Sequence, residues 1–177
     1  MSDHEYLEGV RRQFRGLQRL GAGALTQVDD AALLRALDDE SNSIAIIAKH
    51  MAGNMRSRWR DFLTTDGEKP DRHRDREFEL EDGDDAAAIR SLWEEGWQVL
   101  FDAIDPLTLT DLQRTVTIRG EPHLVIDALQ RQLAHYAYHV GQIVLLARHW
   151  CGPRWQSLSV PRGGSEAFNR HMRKQHP

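Results

Sequence analysis

The chain is predicted to be an all-α protein, a four-helix bundle with long connections that leave room for one short strand or hairpin. Three observations point there. Four segments carry apolar residues at helical spacing. Most of their boundaries fall on capping residues or on Gly and Pro. At 177 residues with a single cysteine, the chain is expected to close one core without covalent staples, as one domain over 1–177.

The first helix is expected to begin almost at the terminus, where Ser2 and Glu5 fit a capping box. Leu7, Val10, Phe14 and Leu17 give it one buried stripe, and Gly21 and Gly23 predict its end. Arg11, Arg15 and Arg19 form a basic row, expected to be a solvated face. A short helix over 29–37 leads to a polar loop. Ser41, Asn42 and Ser43 then offer caps for a long helix over 43–64. Its apolar face runs through Ile44, Ile47, Met51, Met55, Trp59 and Phe62, with the methionines read as packing and His50 on the shoulder.

Residues 65–84 break the periodicity with Gly67, Pro70, Gly83 and alternating charges, and ion pairs are expected to tie this loop to the helices. Asp84 or Asp85 caps a third helix to about Ile104. Thr115 to Ile118 alternate as in a short strand or hairpin, and Pro122 suits the first turn of a fourth helix over about 124–150. Gly152 and Pro153 end that helix. Trp155, Leu158 and Val160 are expected to pack back, before a basic, flexible tail over about 165–177.

Composition narrows function. One cysteine, Cys151, excludes an intrachain disulfide and any cysteine-rich zinc site. The start Met-Ser-Asp-His-Glu is not expected to be a secretory signal, and no apolar run approaches a membrane span, so a soluble cytoplasmic domain is expected. Net charge is −4 with the signs interspersed, which calls for neither nucleic acid nor a membrane surface.

The chemistry concentrates in the run Leu133 to Gln142. His135 and His139 lie four residues apart, so both imidazoles project from one helix face, with Gln132 and Gln142 nearby. Polar side chains aimed at a packing surface require partners. A metal ion is one solution, and bonds to backbone carbonyls are the other. Metal binding needs a third ligand from another element, for which His50 is the best-placed imidazole.

Several blocks of the sequence carry a family resemblance. They are Asn42-Ser43-Ile44-Ala45, Lys49 to Trp59, Phe62 to Lys69, Arg74 to Phe78, Ile118 to Glu121, His135 to Gln142 and Trp155 to Gly163. On these the chain resembles the DinB/YfiT-like superfamily of metalloenzymes, closest to a branch described only as a domain of unknown function. The resemblance implies a bundle of four helices that binds a divalent transition metal (zinc, nickel or iron) through three histidines. One comes from the second helix and two from a His-x-x-x-His turn on the last. Those positions fall on His50, His135 and His139. It further implies a homodimer and, for some members, metal-dependent transfer of low-molecular-weight thiols.

Three neutral imidazoles leave an ion charged and coordinatively open, a site suited to thiol transfer or to hydrolysis of a small electrophile. Asn54, Gln132 and Gln142 are expected around the ligands. Tyr136 and Tyr138 are candidate proton donors, and Glu94, Glu95 and Asp102 belong to the site only if their faces turn inward. The alternative is a non-catalytic dimeric bundle with a structural metal or a small-molecule binding role.

Overall fold

Helix α1 (Asp3–Leu25) opens the computed structural model, which describes residues 3–175. The Ser2–Glu5 capping box therefore lies outside the described residues. Leu7, Val10 and Phe14 are buried as the periodicity requires. Gly21 and Gly23 do not end the helix. A Cβ at Gly21 would stand 2.4 Å from the Trp93 ring and one at Gly23 2.8 Å from Leu158. These glycines are notches into which other elements dock, and the helix runs through them.

Helix α2 (Asp30–Leu34) is shorter than expected. Asp29 caps it by accepting from the Ala32 N–H at 2.9 Å, and Arg35 turns to extended backbone. Helix α3 (Ile44–Trp59) is capped by Ser43, whose Oγ accepts from the Ile46 N–H at 3.2 Å. It stops at Trp59 rather than near residue 64. Arg60 is extended and Asp61 takes a left-handed φ of 51°, which no helix continues.

Helix α4 (Ala86–Ile104) starts at the Asp85 cap and ends beneath α1. There two residues of the basic row, Arg11 and Arg15, prove structural, while Arg19 is exposed as expected. Arg11 donates to the carbonyls of Ile104, Asp105 and Leu107, and Arg15 pairs with Asp105 at 2.7 Å and lies over the Phe101 ring. Cations at the last turn meet the negative end of the helix dipole and satisfy its orphan carbonyls.

The hairpin pairs β1 (Thr115–Ile118) antiparallel with β2 (Glu121–Leu124), with Ile118 opposite Glu121. Its turn, Arg119-Gly120, has φ of 57° and 78°, the double left-handed conformation that a two-residue hairpin needs. Pro122 lies in β2 opposite Thr117, so it does not open the last long helix. That helix, α5 (Val125–Cys151), begins three residues later and ends at Gly152. Trp155 and Leu158 pack onto the core as expected, without Val160. Helix α6 (Ser165–Gln175) buries no residue.

The described residues are thus mostly helical, with six α-helices and one two-stranded antiparallel sheet. Helix α1 packs along α5 and α3 along α4, while α3 also meets α5. One core joins them, including Phe14, Trp59, Trp93, Trp97 and Tyr136. Among the described residues, no helix is long and apolar enough to cross a membrane.

Candidate metal centre

Helices α3 and α5 meet through a buried polar relay. Trp59 Nε1 donates to Tyr136 Oη at 3.0 Å, and that hydroxyl donates to Asn54 Oδ1 at 2.9 Å. Gln132 Nε2 donates to the same oxygen at 3.3 Å. These bonds fix the register of the two helices, because a slip would leave buried polar groups unpaired. One turn from Asn54 sits His50. His135 and His139 occupy the facing turns of α5.

The three imidazoles converge as the sequence suggested. Their ring centroids lie 5.5 Å (His50–His135), 5.0 Å (His50–His139) and 4.8 Å (His135–His139) apart. One ring nitrogen from each falls within 4.8 Å of the others, a group that could hold a metal ion. A point equidistant from three nitrogens at that upper limit is about 2.8 Å from each. An imidazole–zinc bond is roughly 2.0–2.1 Å, so sub-ångström ring movements separate this arrangement from coordination.

Two of the rings are oriented by oxygen acceptors. His50 Nδ1 lies 2.8 Å from Glu77 Oε2, and His139 Nδ1 lies 2.8 Å from Gln142 Oε1. Both oxygens accept only, so each Nδ1 carries a proton, and in the neutral ring Nε2 keeps its lone pair. His139 Nε2 is buried with no hydrogen-bond partner. The surroundings also keep rings neutral. Burial, then the charges of His139, His50 and nearby arginines, lower the His135 pKa to about 3. Burial outweighs the Gln142 bond and lowers His139 to about 4.

Glu77 is the residue that sequence reasoning missed. It arrives from the charged 65–84 loop on a 3-10 turn, Arg74–Phe78, whose Phe78 ring faces His50 at 4.6 Å. Arg72 clamps it, Nε to Oε1 and Nη2 to Oε2, both at 2.8 Å. Burial pushes its carboxyl up, but the bonds from Arg72 and His50 outweigh this and hold it below its ordinary value. The loop is tied down as expected, through Lys49–Asp84 and Arg60–Asp71 at 2.6 Å each. The one sequence signal for Glu77 was Gly53, an interior helical glycine. A Cβ there would stand 2.4 Å from Glu77 Oε1, so the glycine is the carboxylate's seat.

The other expected neighbours sort clearly. Gln142 contacts a ligand candidate, whereas Asn54 and Gln132 belong to the relay. Tyr136 is fully buried and its hydroxyl is pushed up by burial, so it serves packing and the relay. Tyr138 is exposed and lines the cavity beside His135. Glu94, Glu95 and Asp102 lie on the exposed face of α4; Glu95 accepts from Ser91 and Asp102 from Gln98. They do not turn inward.

A cavity of about 570 Å³ opens onto the trio and is lined by all three histidines, Tyr138 and five arginines. Its volume falls in the range of small-molecule sites. No curated protein and no solved structure gives a match to the chain. Residues 2–164 match the family described as "Protein of unknown function (DUF1572)". With nearly its whole length covered, the chain belongs to the DUF1572 family.

Proposed function

We propose that His50, His135 and His139 bind one divalent transition metal, and that the protein is a metal-dependent enzyme acting on a small molecule in the adjoining cavity. One observation carries the reading. Two of the three rings have their Nδ1–H groups committed to Glu77 and Gln142, leaving Nε2 lone pairs without protein partners, one of them fully buried. Orphaned buried acceptors are costly, and outer-sphere oxygens on ligating histidines are the usual way metal sites are built.

When bound, an ion on neutral imidazoles would acidify a coordinated water or hold a thiol as its thiolate. The chain's own contribution is orientation. Glu77 and Arg72 hold His50, Gln142 holds His139, and the relay through Asn54 sets the helices. The open cavity favours a catalytic over a closed structural site, since no fourth protein ligand completes the group among the described residues. A four-helix bundle of DinB/YfiT-like type, working as a homodimer on thiols or small electrophiles, is the finer form of the proposal.

Elemental analysis of tag-free protein tests it. About one equivalent of metal is expected for wild type and a loss of it in His50→Ala, His135→Ala and His139→Ala. Full metal content in His135→Ala overturns the ligand assignment.

A further inference from the structure

We infer that the cavity beside the three histidines binds an oxyanion, a carboxylate or phosphate group of the small molecule that the metal centre acts on. The inference rests on the metal-centre reading, because it assigns the ligand such a centre would meet. Arg58 carries it. This side chain is buried at 4% exposure and lines the cavity, yet its Nε and Nη1 have no hydrogen-bond partner. A buried guanidinium without a counter-charge is disfavoured unless something arrives to pair with it.

The position of Arg58 is built into the fold. Gly67 leaves the space it occupies, since a Cβ there would stand 2.4 Å from Arg58 Nη1. The acids that could neutralise it are engaged elsewhere. Glu68 is held by Arg72 at 3.0 Å and Arg119 at 3.4 Å, and Glu77 by Arg72 and His50.

Arg72, Arg74, Arg119 and Arg131 line the same cavity, and no Asp or Glu among the described residues does; the acids paired with Arg72, Arg74 and Arg119 (Glu68, Glu77 and Asp75) stand off the lining. Arg131 has no ion pair among the described residues. A wall of one sign focuses potential on the space it encloses, and a guanidinium fork matches a carboxylate or phosphate with two parallel bonds.

The test is an NMR titration of metal-free protein at constant pH, following the His135 ring protons, with phosphate, acetate and neutral acetamide as separate probes. A saturable response to phosphate or acetate, and none to acetamide, is expected; whichever anion saturates identifies the group. Arg58→Gln should raise its Kd at least tenfold, Arg58→Lys by less, and Arg19→Gln on α1 by under twofold. No saturable response to either anion, or an unchanged Kd in Arg58→Gln, overturns the inference. If Arg58→Gln fails to fold, unchanged Kd values in both Arg58→Lys and Arg131→Gln do the same. Metal content is measured on each preparation as purified, before the metal is removed for the titration. Full metal without an anion response overturns this inference alone. Anion binding by a preparation that carried no metal as purified overturns the metal centre and, with it, the anion's role as part of a substrate.

Discussion

Replacing Gly53 by Ala sets two effects against each other, and their sizes decide the sign. Gly to Ala in a helix interior is ordinarily stabilising by about 1 kcal/mol. At Gly53, however, the new Cβ would lie 2.4 Å from Oε1, 2.7 Å from Cδ and 3.0 Å from Cγ of Glu77. The carboxylate must retreat, and it is held by 2.8 Å bonds to His50 and to two nitrogens of Arg72. A hydrogen bond to a charged group contributes about 1.5–3 kcal/mol, so losing even one outweighs the propensity gain. Net destabilisation of about 1–3 kcal/mol is expected, with Tm falling by about 2–4 °C per kcal/mol in a chain of this size. Freed from Glu77, His50 should also bind metal more weakly, by about 10–100-fold. Denaturant unfolding of metal-free protein and chelator competition measure the two effects. Gly16→Ala is the control. It lies in α1 with nothing within 4 Å of the added methyl and should stabilise. If Gly53→Ala stabilises as much as Gly16→Ala and leaves metal affinity unchanged, Glu77 does not organise the site.

Other outcomes follow from the same contacts. Glu77→Gln keeps the shape but cannot accept from both Arg72 and His50 as a carboxylate does, so metal affinity should fall about 10–100-fold in chelator competition. An unchanged affinity would count against the outer-sphere role. Gly21→Ala drives a methyl into the buried Trp93 ring, and overpacking of this kind costs about 1–3 kcal/mol in denaturant unfolding; a gain in stability would show that α1 can yield there. The pH dependence of the metal-free protein has a definite sign. His135 and His139 titrate at about 3 and about 4 when folded, below the ~6.5 of an unfolded imidazole. As pH falls below about 6.5 the unfolded chain takes up protons that the folded chain refuses, so stability drops through that window and levels off below the folded values. The melting temperature should decline from pH 6.5 to 5 in wild type and less steeply in the His135→Ala, His139→Ala double variant. Equal slopes would contradict the burial argument.

Local pattern was enough for much of the molecule. Apolar spacing identified the four long helices, because burying one stripe is a property of consecutive residues. The His135–His139 pair was equally legible, since a helix places residues four apart on one face whatever surrounds it. The caps at Ser43 and Asp85 read directly as well. Position 50 needed the family resemblance beside its place on a helix shoulder, because convergence across 85 residues is not a local property. Tertiary contact decided the rest. Gly21 and Gly23 read as helix stops yet serve as docking notches, and Arg11 and Arg15 read as solvated yet cap another helix. Pro122 suited a helix start but sits in a strand. Glu77 and Arg58 lie in charge-rich or amphipathic stretches where nothing in the neighbouring residues marks them out. Their roles come from packing a loop against α3, and the sequence marks that only by the missing side chains of Gly53 and Gly67, because space left for a partner is visible only once the partner is in place.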